Sequence, residues 1–381
     1  MSHIAIASSC LLPLTSSAAD DAAQIRAFVD TAIRPLMIEH DVPGMAVAVT
    51  VNGQDFFFNY GLANKEKNTP VSEATLFELG SISKTFTATL ASYAQVLGKL
   101  AMDDHPSKYM PQLKGGAIDQ ASLLNLGTYT AGGLPLQFPD EVANDQMMGY
   151  FLQWKASAPA GSQREYSNPS LGLFGHLSAL ALKKDFADAM ESQIFAKLGL
   201  KHSYIRVPES AMANYAWGYN KQNKAIRMNP GPLAAEFSGV KSTATDILRY
   251  VQANIDASQL DRTMQRAVAG THVGYFEVGS MVQGLGWEQY PFPVSLERLL
   301  DGNSYTMILE PNASKQLPSP QAPTAPTLFN KTGSTGGFGA YVAFVPEKEI
   351  GIVMLANKNY PIPARIKAAH AILEGLAALA R

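Results

Sequence analysis

Gly80-Ser81-Ile82-Ser83-Lys84 heads a segment whose apolar residues Phe86, Leu90, Tyr93 and Leu97 recur at helical spacing. A serine and a lysine three residues apart on a helix share a face, so the Lys84 amine can reach the Ser81 hydroxyl. The positive end of the helix dipole favours negative charge developing nearby. This is the arrangement of an activated oxygen nucleophile. The pattern alone is common, and a second copy stands at Ser238-Gly239-Val240-Lys241. There Gly239 follows the serine, and the next helix-capping residue, Ser242 or Thr243, comes after the lysine, which predicts a loop without a common helical face. Ser81 therefore ranks above Ser238. A helix cap beside a solvated lysine is the alternative for the Ser81 motif taken by itself.

Two distant motifs add to it. Tyr166-Ser167-Asn168 offers a phenol that can relay a proton and an amide that can hold Lys84 or a substrate carbonyl; alone it is a polar turn before a helix opened by Pro169. Lys331-Thr332-Gly333 runs into Ser334-Thr335-Gly336-Gly337-Phe338-Gly339, setting a cation, a hydroxyl and a close-approach backbone before a strand; alone it is a glycine-rich turn. Ser-x-x-Lys followed by Lys-Thr-Gly belongs to the signature of penicillin-binding proteins and β-lactamases, with Ser-Asp-Asn usual where Tyr166-Ser167-Asn168 stands here.

With these motifs the chain resembles the class C serine β-lactamases, the AmpC family, from about residue 25 to about residue 376. Further segments carry the likeness: 77–86, Thr128-Tyr129-Thr130-Ala131-Gly132-Gly133-Leu134-Pro135-Leu136-Gln137, Gly284-Leu285-Gly286-Trp287-Glu288 and Met354-Leu355-Ala356-Asn357-Lys358-Asn359-Tyr360-Pro361. The resemblance implies that Ser81 is acylated by the β-lactam carbonyl, that Lys84 and Tyr166 share proton transfer, and that Lys331 orients Tyr166 and the substrate carboxylate. It implies that Gln137 and Asn168 hold the side-chain amide of the drug and that the backbone N–H groups of Ser81 and Ser334 form the oxyanion hole. Thr332 and Asn359 would sit near the carboxylate, with Gly333 in the same substrate-binding run. An ordinary lysine pKa near 10.4 is too high for a base at neutral pH, so Lys84 acts as one only if burial or a neighbouring charge such as Lys331 depresses it.

Two positions depart from the family pattern. Ser238 stands where many relatives carry a tyrosine lining the acyl side-chain pocket, which predicts a roomier pocket with Phe237 as partial replacement. Ile362 stands where some relatives place an asparagine near the carboxylate. Trp287 and Glu288 are expected as the opposite wall, with core packing the alternative for Trp287. His176 has no triad partner in sight and reads as structural.

The elements that must position these residues follow from patterning. Residues 25–37 form an amphipathic helix that includes Pro35; 45–51 and 54–60 form a hairpin around Asn52-Gly53. Residues 340–345 and 350–356 form two more strands, and 364–380 a helix. Between them, 85–100, 143–154, 169–182 and 186–198 read as helices, and the five prolines of 310–326 predict a surface loop. The expected fold is α/β in the α+β sense: an antiparallel sheet flanked by terminal helices, with a helical lobe inserted, as in serine β-lactamases and penicillin-binding proteins. The expected lobes are 20–78 with 241–381, and 79–240, the site lying in the cleft between them.

Composition limits the alternatives. The 381 residues are 46% hydrophobic and only 16% charged, below the roughly 25% typical of soluble proteins, which favours extensive burial over disorder. Thirty basic against 32 acidic residues give a net charge of −2 and no electrostatic pull toward nucleic acid or membrane. A single Cys10 and seven histidines without metal-ligand spacing predict no metal, cofactor or intrachain disulfide. Residues 1–19, with an apolar run over 4–14 and small Ser17 and Ala19, read as an export signal despite lacking an early Lys or Arg, an untargeted leader being the alternative. The family resemblance then implies a periplasmic monomer acting on β-lactams, cephalosporins above all. A D,D-peptidase, an esterase of the same fold or an inactive β-lactam sensor are the competing readings; Lys331 favours the lactamase, and no Gly-x-Ser-x-Gly elbow supports an ordinary α/β-hydrolase.

Overall fold

The computed structural model describes residues 15–380, with side chains from residue 20 onward. The apolar run of the expected leader lies outside the described residues, and the suggested cleavage point after Ala19 falls within the first helix, Thr15–Glu39.

A ten-stranded sheet organises the chain. The hairpin forms as the Asn-Gly signature requires: Gly44–Val51 pairs antiparallel with Gln54–Asn64, and both turn residues take the left-handed conformation, Asn52 at φ 51° and Gly53 at φ 74°. Ile350–Ala356 pairs with the outer side of Gly44–Val51, Gly339–Val345 with Ile350–Ala356, and Thr327–Ser334 with Gly339–Val345. The sheet then runs on through Glu288–Pro291, Met281–Gly284 and Gly274–Val278 to the edge strand Lys315–Gln321. The proline-rich segment expected as a loop thus supplies a strand. Pro318 and Pro320 fit there because an edge strand leaves one row of backbone groups unpaired, where a missing N–H costs no ladder bond.

Both faces of the central strands are buried. In Gly44–Val51 the residues Met45, Val47, Val49 and Val51 join the core beneath the terminal helices Thr15–Glu39 and Ile362–Leu379, while Ala46 and Ala48 join the core on the other face. That second face is covered by helices including Ala244–Ile255 and Ser83–Val96. A third core lies among the helices of the middle of the chain, including Asn168–Ala181 and Met147–Gln153. Among the described residues no helix is long and apolar enough to cross a membrane.

The helix after Ser81 differs from the amphipathic pattern expected. Every residue from Ser83 to Ala94 is buried, whereas Leu97, assigned to the apolar stripe, is 41% exposed. Its threonine hydroxyls are satisfied internally: Thr85 Oγ1 donates to the Ile82 carbonyl, Thr89 Oγ1 to that of Thr85, and Thr87 Oγ1 to that of Glu236. Threonine can be buried all round a helix when its hydroxyl finds a carbonyl in this way.

Candidate active site

Ser81 lies in a single 3-10 turn, Gly80–Ile82, that leads into the helix Ser83–Val96. Lys84, one turn on, is fully buried and donates from Nζ to Ser81 Oγ at 2.8 Å and to the Phe237 carbonyl at 3.1 Å. Gly80 is required by two constraints at once. Its φ is +52°, and a Cβ there would stand 2.5 Å from both the N and the O of Ser334. The strand Thr327–Ser334 therefore runs against the nucleophile turn backbone to backbone, which brings the Ser334 main chain beside Ser81.

Tyr166, buried, precedes the helix Asn168–Ala181, whose N-cap is Ser167. Its ring faces both lysines: Lys84 Nζ lies 5.1 Å and Lys331 Nζ 4.9 Å from the ring centroid. The Tyr166 hydroxyl and Asn168 Oδ1 are buried without a completed hydrogen bond, and Asn168 Nδ2 donates to Gln137 Oε1 at 2.9 Å. Lys331 Nζ, also buried, lies 3.3 Å from Glu288 Oε1.

These placements set the proton affinities. Burial pushes the Lys84 amine down to about 8; Lys331 adds to this, while Tyr166 opposes it. Burial by itself would raise Tyr166, but Lys331 and Lys84 outweigh it and bring the phenol down to about 8. For Lys331 burial acts downward, yet Glu288 and Tyr166 outweigh it and hold the amine above its ordinary value. Lys84 and Tyr166 thus compete for a proton in the same range, beside the Ser81 hydroxyl, and titrate as a pair.

Two cavities meet at Ser81. One, of about 370 Å³, is lined by Gln137, Asn168, Met228, Phe237, Ser238 and Ser334. The other, of about 290 Å³, is lined by Tyr166, Glu288, Lys331, Thr332, Gly333 and Ile362 among others. Of the ten residues singled out in the sequence, nine line one or both cavities or, for Lys84, reach Ser81 from beneath. Asn359 lines neither; it is exposed, with Oδ1 accepting from Arg365 at 2.7 Å. Trp287 is core and not wall: it is fully buried between Tyr250 and Phe344, and only Glu288 faces the cleft. Ser238 and Lys241 do not lie in a loop. Ser238 ends the short helix Ala234–Ser238, and Lys241 begins the strand Lys241–Ser242, so they share no face, and Lys241 Nζ donates to the carbonyls of Gly239 and Ile205.

A family model described as Beta-lactamase matches residues 29–377. The chain belongs to the β-lactamase family. The Beta-lactamase of Pseudomonas fluorescens is 53% identical to it over 356 residues, covering 93% of this chain and 99% of that protein. A solved class C beta-lactamase in complex with cefoxitin superposes with a TM-score of 0.90 at 49% identity, covering 93% of this chain and 99% of its own. The Beta-Lactamase/D-Alanine Carboxypeptidase from Pseudomonas syringae superposes with a TM-score of 0.89 at 46% identity, covering 92% of this chain and 98% of that one. The chain is therefore a class C enzyme with the serine β-lactamase fold.

Two arginines escaped the sequence reading of this class C site. Arg164, buried, donates to Gln283 Oε1 at 2.7 Å and to the Met307 carbonyl at 2.8 Å, and shares Glu288 with Lys331 from 3.5 Å. Its guanidinium also lies 5.3 Å from the Tyr129 and Tyr166 ring centroids. Arg365, likewise buried, donates to the Gly333 carbonyl at 2.6 Å, to Ser334 Oγ at 2.9 Å and to Asn359, fastening the end of the Lys-Thr-Gly strand to the terminal helix. One signal was available for Arg365: it sits in the first turn of its helix, where the dipole disfavours a cation, so another demand must place it there.

Proposed function

We propose that this β-lactamase hydrolyses β-lactams, cephalosporins preferentially, through an acyl intermediate on Ser81. The observation that carries the reading is the buried Lys84 amine 2.8 Å from the Ser81 hydroxyl, with its proton affinity brought near neutrality. Ser81 Oγ attacks the β-lactam carbonyl carbon while its proton passes to the Lys84–Tyr166 pair, whose depressed affinities match a base working near neutral pH. The negative oxygen of the tetrahedral state falls to the N–H groups of Ser81 and Ser334, a donor pair preorganised by the Gly80 contact. Collapse breaks the ring C–N bond, and the departing nitrogen takes the proton back from the pair. A water then gives its proton to the same pair and attacks the ester carbonyl; collapse breaks the bond from the carbonyl carbon to Ser81 Oγ, which takes that proton back, releasing the opened acid and free Ser81.

The larger cavity takes the acyl side chain, its amide held by Gln137 and Asn168. The smaller takes the ring carboxylate on Lys331, Thr332 and Ser334 beside Gly333, and Asn359, outside that lining, is held by Arg365. In lobe terms the site lies between 20–78 with 241–381 and 79–240. The enzyme acts as a monomer in the periplasm, the destination that an export signal at 1–19 would give. A D-alanine carboxypeptidase activity is the second reading, favoured by the name of the Pseudomonas syringae relative and by the acyl-serine chemistry the two reactions share.

Hydrolysis of a chromogenic cephalosporin, with intact mass followed during turnover, separates them. Rapid turnover with a transient adduct on Ser81, both lost in Ser81→Ala, is expected. A Ser81 adduct that accumulates without turnover, together with release of D-alanine from an acyl-D-Ala-D-Ala peptide, would transfer the assignment to the peptidase.

A further inference from the structure

Glu78, three residues before the nucleophile, is 1% exposed, and no ion pair holds it among the described residues. Three donors from distant parts of the chain converge on its carboxylate instead. Oε1 accepts from the Tyr215 hydroxyl at 2.6 Å and from the Met228 backbone N–H at 2.7 Å, and Oε2 accepts from the Thr335 hydroxyl at 2.6 Å. The backbone of Glu78 is fixed as well, since Phe77–Glu78 pairs with Lys241–Ser242.

Two of these donors belong to separate stretches of the lining of the larger cavity. Met228 opens the segment that supplies Met228, Asn229, Gly231 and Pro232, and Thr335 follows Ser334 in the second, which packs beside the first where Ile226 meets Gly336 and Gly337. Neither stretch is held by a long ladder at this point. The Met228 side is otherwise pinned through Arg227, whose guanidinium lies 4.0 Å from the Tyr215 ring centroid and donates to the carbonyls of Tyr215 and Ala216. Thr335 has one local bond, from its N–H to the Phe338 carbonyl.

We propose that Glu78 is a positioning residue that shapes the acyl side-chain subsite by tying two stretches of its lining to the base of the nucleophile turn. The assignment rests on the reading of the larger cavity as that subsite. Two stretches of lining bonded to one rigid carboxylate cannot move away from the nucleophile turn without breaking a charge-assisted hydrogen bond. Glutamine keeps the arm: its oxygen accepts from Tyr215 and Met228, and its amide donates to the Thr335 hydroxyl, which turns to accept. Alanine frees both stretches from the carboxylate, and loss of Thr335 Oγ1 frees one.

The test compares two cephalosporins that share a ring system and leaving group and differ only in a small or a bulky acyl side chain. Glu78→Ala is expected to raise the bulky-to-small ratio of kcat/KM roughly tenfold, the scale of one lost charge-assisted bond, mainly through KM. Thr335→Val shifts the ratio the same way by less, and Glu78→Gln returns it to within about twofold of the unsubstituted enzyme. Thr335→Val decides the matter if Glu78→Ala does not fold. An unmoved ratio in folded Thr335→Val and Glu78→Ala, or a Glu78→Gln enzyme as shifted as Glu78→Ala, overturns the proposal. Absence of β-lactam turnover in the unsubstituted enzyme would overturn the subsite reading instead, so the two failures are distinct.

Discussion

The chain writes Ser-x-x-Lys twice, and the two copies end in opposite uses. At 81–84 the backbone stays helical from the 3-10 turn into the helix, so lysine and serine stack on one face and the amine meets the hydroxyl at 2.8 Å. At 238–241 the chain leaves a helix and enters a strand; Ser238 Oγ turns back to the Ala234 carbonyl, and Lys241 Nζ is taken by two other carbonyls. Burial lowers the proton affinity of both lysines. Desolvation therefore does not distinguish them. What does is the acceptor within reach of the amine, and that is a property of the backbone path between the two residues. The copies also touch, because the Val240 N–H donates to Ser83 Oγ at 3.0 Å, and Lys84 Nζ uses the carbonyl of Phe237, the residue before Ser238, as its second acceptor. One motif thus serves as part of the other's support.

The widest separation between the copies should come from deleting each serine. Ser81→Ala is expected to lower kcat by roughly 10⁴ or more, and Ser238→Ala to leave it within about threefold, measured on one reporter cephalosporin. Equal losses would erase the distinction. Next in size is Gly80→Ala, whose methyl group cannot coexist with the Ser334 backbone at 2.5 Å. Displacing an oxyanion donor costs roughly 10²–10³ in kcat, so a normal rate in this variant would place the second donor elsewhere.

The lysines separate by pH. The acid limb of kcat/KM should fall near pH 8, the range of the Lys84–Tyr166 pair. Lys331 pulls both members of that pair down, so Lys331→Gln moves the limb upward by about one unit, and Lys241→Met leaves it in place. A limb that follows Lys241 would reverse the comparison. Stability carries the same signature with a fixed sign: Lys84 and Tyr166 both lose their protons at lower pH folded than unfolded. The unfolded chain consequently binds more protons between about pH 8 and 10, and the midpoint of thermal unfolding should gain from this pair as pH rises through that window. The smallest effect belongs to Ser238→Tyr. A ring there fills the larger cavity and should lower the kcat/KM of bulky-side-chain cephalosporins several-fold, roughly 3 to 10, relative to small ones.

Local signals were legible where one segment suffices. Asn52-Gly53 prescribes its hairpin because only left-handed turn residues match strand twist. The Lys-Thr-Gly run signals a close backbone approach ahead of a strand; the approach is there, at Gly80, but the run itself ends the strand Thr327–Ser334, which the patterning did not mark. The Pro-rich segment misled because proline forbids a central strand and not an edge, and edge position is invisible along the chain. Trp287 left two readings open, wall or core. Glu288 opens the strand Glu288–Pro291 and faces the cleft, whereas Trp287, just ahead of that strand, packs into the core against Tyr250 and Phe344.

Residue types and their order determined the chemistry available to this protein: a nucleophilic hydroxyl, two amines, a phenol and a glycine-bounded strand, carried on a family pattern that fixes what they do together. Tertiary structure decided the rest, because the deciding quantities are properties of pairs far apart in sequence. The proton affinities of Lys84 and Tyr166 exist only once burial and Lys331 surround them. Glu288 divides itself between Lys331 and Arg164, Arg365 locks the end of the Lys-Thr-Gly strand, and Glu78 gathers three donors. A buried charge costs far more free energy unpaired than paired, so its partners are chosen by the packing of the whole molecule and leave little trace in the residues beside it.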